Sequence, residues 1–387
     1  MNDTGPAAPR EMTASMPSDL LPPPVLVQTR PALVDLVNDL GRQGRIAVDT
    51  ESNSLHAYRE RVCLIQFSTP QTDYVLDPLA LEDLSALGPV FASPSIEKVF
   101  HASEYDILCL RRDFGFSFAA IFDTMQAGRI LGRRQAGLDR LLEEKFGVKM
   151  NKRFQKADWA VRPLSRELLL YARLDTHYLI PLRDMLQAEL AARGLWQLAQ
   201  EDFELARQPN GARPKPEQPA WARYRARREL GPRELTVLDA LLAWRDQAAS
   251  MLDRPAFKVM DDERLIEIAL AKPATRPELA DIGLTSRQMQ NWSEAILTAV
   301  AAGAKAPLVK GRALPRPNEA YLKRLDRLKD WRKKAAARMD VESDVVLPRQ
   351  LMLALAEQGP AELGSILGVS PWRLQHFGDD IRKVLGG

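Results

Sequence analysis

The chain changes character near residue 208, and that change constrains its fold more than any other feature. Up to about residue 125, short apolar runs alternate with helix-like stretches; beyond a Pro-rich connector starting at Gln208, nearly every segment reads as helix. Strand candidates are residues 25–29, 45–50, 62–68, 73–76, 98–102 and 119–122. Pro31 sits where the first turn of a helix would follow Thr29, and Glu104 opens a second helix that reaches about Asp113. Buried strands separated by helices predict an α/β sandwich around a mixed sheet flanked by helices. From Met125 to about Ala206 the pattern turns helical, with Leu138, Leu141, Leu142 and Phe146 at helical spacing.

The C-terminal part repeats itself. The run 238–249, Leu-Asp-Ala-Leu-Leu-Ala-Trp-Arg-Asp-Gln-Ala-Ala, matches the run 325–336, Leu-Asp-Arg-Leu-Lys-Asp-Trp-Arg-Lys-Lys-Ala-Ala. Further on, Ile282 and Ser286 match Ile366 and Ser370, and Trp292 and Ile296 match Phe377 and Ile381. Two copies of one small all-helical domain are expected. The expected division is a disordered Pro/Ala/Ser/Thr-rich tail at 1–24 and an α/β domain at 25–208. A Pro/Arg-rich linker at 209–232, a helical domain at 233–304, a linker at 305–318 and a second helical domain at 319–387 follow.

Composition excludes several classes. Hydrophobic residues at 45% and charged residues at 27% are a soluble globular mixture, and no apolar run is long enough to cross a bilayer. The N-terminus has no basic region followed by an apolar core, so no secretory signal is expected. The two cysteines, Cys63 and Cys109, lie in apolar runs with neither disulfide nor zinc spacing, which fits a reducing, cytoplasmic setting.

Four carboxylates and a tyrosine carry the chemistry. Asp49 and Glu51 lie in the segment 46–51, Ile-Ala-Val-Asp-Thr-Glu. Period-two alternation puts both on one face of a strand, with Thr50 on the other. Tyr171 and Asp175 are four apart on a helix for which Ser165 is the expected N-cap, so they share one face. Asp106 follows a strand, where ligand sites gather in α/β sheets; Glu104 is not excluded by spacing. Hard divalent cations take oxygen ligands, and two-metal phosphodiester cleavage needs such a cluster. Each fragment alone has an ordinary reading: an acidic strand end, a core tyrosine, a helix cap. Asp123, followed by Thr124, reads as the cap of the next helix. Only the ordered combination is specific.

Residues 25–208 resemble the 3′–5′ exonuclease domain of ribonuclease D, in the DEDD superfamily branch with a tyrosine in its third motif. The resemblance extends beyond the acids to the run 61–66 (Arg-Val-Cys-Leu-Ile-Gln), to 100–102 (Phe-His-Ala), to Asp158 and Trp159, and to 162–165 (Arg-Pro-Leu-Ser). The repeated units resemble HRDC domains. The resemblance implies an RNase H-like α/β exonuclease domain followed by two small all-α HRDC-type domains. It also implies a 3′–5′ exoribonuclease that releases nucleoside 5′-monophosphates with two divalent ions, Mg²⁺ or Mn²⁺. Asp49, Glu51 and Asp175 would hold the ion that activates the nucleophile. Asp49 would also contact the second, supported by Asp106, and Tyr171 would orient the attacking water. Ser52 departs from the family pattern, in which an aromatic residue is frequent there; Arg173 and the run 175–178, Asp-Thr-His-Tyr, resemble the exosome-associated nucleases as much as ribonuclease D. The implied substrate is RNA with a free 3′ end, such as tRNA precursors, handled by a monomer away from membranes. A DNA-directed exonuclease is one alternative. A non-catalytic RNA-binding module is another, and the intact five-residue set argues against it.

Further residues are candidates for substrate contact. His101 precedes Asp106, and His56 and Tyr58 follow the first motif, where base stacking suits sequence-tolerant binding. His177 is expected to pack or hydrogen-bond rather than act as a base. The net charge of +3 indicates no partner by itself, but basic residues cluster at 133–156, at 213–233 around Arg225 and Arg228, and at 323–334. Such runs suit RNA phosphates. Trp244 and Trp331, at equivalent repeat positions, are expected in the core.

Overall fold

The computed structural model describes residues 21–207, 219–309, 318–368 and 370–386. The expected tail, the Pro-rich connector and most of the second linker lie outside the described residues. The described chain divides into two compact units: one holds the chain up to Glu51 together with Val62–Gln208 and Lys323–Gly387, the other holds Ser52–Arg61 and Pro209–Leu322.

The first unit is built on a six-stranded mixed sheet: β1 (Val25–Val27), β2 (Arg45–Ser52), β3 (Val62–Ser68), β4 (Asp73–Leu76), β5 (Glu97–Phe100) and β6 (Ile121–Asp123). Their spatial order is β1-β4-β3-β2-β5-β6. The pairs β1–β4, β2–β5 and β5–β6 are parallel and β3–β4 is antiparallel. The helices around it are α1 (Arg30–Leu40), α2 (Gly88–Ala92), α3 (Glu104–Phe114), α4 (Thr124–Ile130), α5 (Leu138–Phe146), α6 (Arg166–His177), α7 (Leu179–Ala192) and α8 (Trp196–Arg207). Alternation along β2 sorts its side chains. Ile46 and Val48 enter the cluster that holds Leu33 and Leu36 of α1 and Ile107 and Leu110 of α3. Ala47 enters the cluster of Leu179, Leu182 and Leu186 on α7. Local chemistry sets the helix starts: Thr29 accepts from Ala32 N–H ahead of Pro31, and Ser165 accepts from Leu168 N–H.

Several expected boundaries move: the first strand ends at Val27, β2 runs on to Ser52, and the last strand is Ile121–Asp123 rather than 119–122. The strand placed at 98–102 ends at Phe100, because Ala102 turns left-handed at φ 64°. The helix expected from Ser165 to Leu179 splits: Tyr178 closes α6 and α7 begins at once.

The first unit also contains the second helical repeat: α14 (Glu319–Met339), α15 (Ser343–Val346), α16 (Arg349–Gln358), α17 (Leu363–Leu367) and α18 (Pro371–Gly386). It packs on α8 through a buried polar lock. Arg373, with no exposed surface, pairs with Asp202 at 2.8 Å and donates to the carbonyls of Val345 and Val346. Glu201 accepts from Ser370 Oγ and Trp372 N–H, each at 2.5 Å.

The second unit holds α9 (Pro232–Leu252), α10 (Ala256–Val259), α11 (Asp262–Ala271), α12 (Arg276–Asp281) and α13 (Ser286–Lys305). Helices α9 and α13 touch closely at Gly303, where a Cβ would lie 2.6 Å from the Val237 Cα. The repeat is visible in the cores: Trp244 meets Trp292 edge-on at 6.0 Å, and Trp331 meets Phe377 edge-on at 5.5 Å. Both aligned tryptophans therefore pack inside their repeats. Among the described residues, no helix is long and apolar enough to cross a membrane.

Candidate active site

Strand β2 and helix α6 bring three carboxylates together. Ligand oxygens of Asp49, Glu51 and Asp175 all lie within 4.8 Å of one another. Asp49 and Glu51 project from one face of β2, as their spacing requires, and Asp175 and Tyr171 project from successive turns of α6. All three grouped ligand atoms are carboxylate oxygens, a donor set that suits a hard divalent ion.

The electrostatics show how strained this cluster is without a cation. Burial, then the charges of Asp106, Asp175 and Glu51, push the Asp49 carboxyl well above the ordinary carboxylate range. Burial, then Asp175 and Asp106, do the same to Glu51, and burial followed by Asp106 raises Asp175. Like charges in a poorly solvated pocket disfavour ionisation, and a bound cation reverses that preference.

Asp106 comes from the first turn of α3, near enough for its charge to act on Asp49, Glu51 and Asp175. It is 6% exposed, whereas Glu104 points to solvent, which separates two acids that spacing alone leaves equivalent. Thr50, on the strand face opposite Asp49 and Glu51, donates its hydroxyl to Asp106 Oδ1 at 2.5 Å. Burial pushes the Asp106 carboxyl up to about 7, with Asp123 adding to the rise and the Thr50 bond opposing it. Asp106 does not join the tight three-carboxylate group. Thr50 is a partner that sequence reasoning missed, because its bond depends on where α3 docks.

Tyr171 is buried between aromatic neighbours, with ring centroids 6.1 Å from Trp159 and 5.8 Å from Phe154. Burial and the charges of Asp175, Glu51 and Asp49 raise its phenol pKa far above normal. Without a cation, burial and these charges thus hold the phenol in its protonated form. The segment before α6 is pinned by Arg162, which reaches Asp77 at 2.6 and 2.7 Å and the Cys63 carbonyl at 2.9 Å. Burial opposes ionisation of Asp77, yet the bonds from Arg162 and Gln28 hold its pKa below the ordinary value.

The other candidates are dispersed. His101 Nδ1 lies 2.9 Å from Thr124 Oγ1, which itself donates to the Phe100 carbonyl. The Thr124 proton is thereby committed, so His101 carries its proton on Nδ1 when neutral. Burial lowers its pKa, against the opposing charges of Asp123 and Asp139. His177 bonds Asp73 at 2.8 Å, in line with the structural role expected of it. Tyr58 belongs to the second unit, where its hydroxyl donates to Asp246 at 2.8 Å and its backbone N–H to Asp253. His56 lies in the same short loop, and its N–H donates to the Asn53 carbonyl. Arg225 and Arg228 are exposed on the second unit.

Comparison with known proteins narrows the reading. Residues 24–191 match the 3′–5′ exonuclease family, and residues 234–300 and 322–385 each match the HRDC domain. Ribonuclease D of Acidiphilium cryptum is 31% identical over 380 residues, which cover 96% of this chain and 95% of that protein. The chain belongs to the ribonuclease D family. Membership makes it a 3′–5′ exoribonuclease with a DEDD catalytic domain, a family whose chemistry requires divalent metal ions. The crystal structure of Escherichia coli RNase D, described as an exoribonuclease involved in structured RNA processing, superimposes with a TM-score of 0.69. The two are 25% identical, over 94% of this chain and 98% of that one. The Saccharomyces cerevisiae exosome complex exonuclease RRP6 is 33% identical over 285 residues, and the match spans 69% of this chain but 39% of the yeast protein.

Proposed function

We propose that this ribonuclease D relative trims the 3′ ends of structured RNA, tRNA precursors among them, releasing nucleoside 5′-monophosphates with two divalent ions, Mg²⁺ or Mn²⁺. The observation that carries the reading is the convergence of Asp49, Glu51 and Asp175 oxygens within 4.8 Å, beside the buried phenol of Tyr171. Cations held there would supply the positive charge that lets an anionic nucleophile meet an anionic phosphodiester and stabilises the leaving oxygen.

The chain's own residues have separate tasks in this reading. Asp49, Glu51 and Asp175 hold one ion. Asp49 and Asp106 hold the other, directly or through water. Tyr171 aligns the attacking water with its protonated hydroxyl, backed by Trp159 and Phe154. His101 contacts the substrate or supports the site. His56 and Tyr58 contact the RNA, although Tyr58 also packs its ring against Ala248, Ala249 and Val259 while Asp246 holds its hydroxyl. Arg225 and Arg228, with the two HRDC-type domains at about 233–304 and 319–387, contribute phosphate contacts. The enzyme works as a monomer in the cytoplasm, a setting that suits its two buried cysteines.

The test uses 5′-labelled RNA and DNA oligonucleotides ending in 3′-OH or 3′-phosphate, with Mg²⁺, Mn²⁺ or EDTA. Stepwise shortening of 3′-OH RNA that stops in EDTA and in Asp49→Ala is expected. Internal fragments, or cleavage that survives both controls, would overturn the mechanism. Faster loss of DNA than RNA would overturn the substrate assignment.

A further inference from the structure

The turn between β5 and α3 delivers Asp106, and its backbone is held in an uncommon shape. Ala102 sits in the left-handed region at φ 64°, which a residue with a Cβ rarely adopts. Ser103, at the N-cap position of α3, makes no side-chain cap bond. The bonds that hold this turn come from Asp123, which is 1% exposed at the end of the neighbouring strand, in register with Phe100. Asp123 Oδ1 accepts from Ala102 N–H at 3.1 Å and Oδ2 from Ser103 N–H at 2.7 Å. Oδ1 also accepts from Met125 N–H at 2.9 Å and Gln126 N–H at 3.0 Å. A carboxylate that sequence reasoning read as the cap of α4 therefore also ties the end of β5 to the start of α3. The first turn of α3 closes through Ile107 N–H to the Ser103 carbonyl at 3.0 Å, and Asp106 rides on that turn.

We propose that Asp123 is a positioning residue: by holding Ala102 and Ser103 in this turn it aims Asp106 at the metal-binding acids. The inference rests on the reading of Asp106 as a metal ligand. Asp123 reaches Asp106 through the backbone: it accepts from the N–H groups of Ala102 and Ser103 at the start of α3, and from those of Met125 and Gln126 on α4. Thr50 steadies the Asp106 carboxylate from the other side.

Two variants of the full chain approach the turn differently. Asp123→Asn keeps an acceptor but replaces one carboxylate oxygen with a donor. Ala102→Val leaves Asp123 and its α4 bonds intact and penalises the left-handed turn itself. Both are expected to lower kcat about 10- to 100-fold, as a small misplacement of a ligand does, with KM for RNA little changed. Both should also weaken Mn²⁺ binding measured by calorimetry without RNA. Placed in an Asp106→Ala background, neither should weaken Mn²⁺ binding further. Adding Ala102→Gly to Asp123→Asn should restore part of kcat, because glycine holds positive φ unaided. A folded Asp123→Asn or Ala102→Val protein with wild-type kcat and Mn²⁺ binding overturns the proposal. So does an equal loss of Mn²⁺ binding with and without Asp106. If Asp106→Ala itself binds Mn²⁺ and degrades RNA like wild type, the assignment of Asp106 as a ligand is what fails.

Discussion

Asp49, Glu51 and Asp175 repel one another until a cation joins them, so stability and activity should respond to these residues in opposite directions. Asp49→Asn should lower kcat by about three orders of magnitude or more, as loss of a metal ligand does. The same change should raise the melting temperature of the metal-free protein and abolish the further rise that Mn²⁺ gives wild type. Differential scanning fluorimetry with EDTA and with Mn²⁺ reads both, and an Asn variant less stable than wild type in EDTA would contradict the account of the cluster. The pH dependence follows from the same shifts. The folded-state pKa values of Asp49, Glu51, Asp106 and Asp175 lie above those of the unfolded chain. Their contribution to stability is thus fully present below the unfolded value of about 4 and is lost as pH rises through the folded values, which for Asp106 is about 7. Metal-free wild type should lose stability between pH 5 and pH 8 more steeply than Asp49→Asn, and parallel curves would exclude the linkage. Tyr171 makes a different prediction. With its phenol proposed as a donor rather than a base, Tyr171→Phe should lower kcat about 10- to 1,000-fold while Mn²⁺ binding stays at the wild-type level in calorimetry. A loss of Mn²⁺ affinity in Tyr171→Phe would instead make the phenol part of the metal site.

At the level of elements, β2 and α6 were legible because their rules are local. The apolar run Ile46, Ala47, Val48 fixes a buried strand, and alternation then decides where Asp49, Thr50 and Glu51 point. Ser165 marks the start of α6, and helical spacing pairs Tyr171 with Asp175. What was not legible depends on docking. Spacing leaves Glu104 and Asp106 equivalent until α3 packs its Ile107, Cys109 and Leu110 inward and turns Asp106 with them. The end of β5 was misplaced because an alanine supplies the left-handed residue, and alanine carries no turn signal. The packing of the second repeat on α8 was equally hidden, since Glu201 and Asp202 look like a solvated helix face until Arg373 arrives. That lock yields a stability prediction. Arg373→Ala takes the guanidinium away from Asp202, while Glu201 keeps its bonds from Ser370 and Trp372, and should destabilise the first unit by about 3–5 kcal/mol, the range for breaking a buried ion pair. Arg373→Met, which fills the space but still leaves Asp202 unpaired, should recover little unless Asp202→Asn is added. Chemical denaturation of the three variants checks this, and a cost below about 1 kcal/mol for Arg373→Ala would show the pair to be solvated.

For the whole molecule, the question is what two helical repeats add to a domain that already carries the full catalytic set. The formal net charge is only +3, so no long-range field dominates and any attraction for RNA must come from local basic clusters. Trp244 and Trp331 pack against Trp292 and Phe377 inside their repeats, and the exposed Arg225 and Arg228 can offer phosphate contacts. Arg225 and Arg228 are exposed, and as the phosphate contacts proposed above their charge should affect capture and not the chemical step. The double variant Arg225→Glu, Arg228→Glu should raise KM for a long structured RNA about 3- to 30-fold and leave kcat within about twofold, while reducing the salt slope of RNA binding by about two. A short oligonucleotide confined to the catalytic cleft should show a much smaller KM change. Equal effects on long and short substrates, or a loss of kcat, would show that these arginines act at the cleft or on folding and not as a separate hold on the body of the RNA.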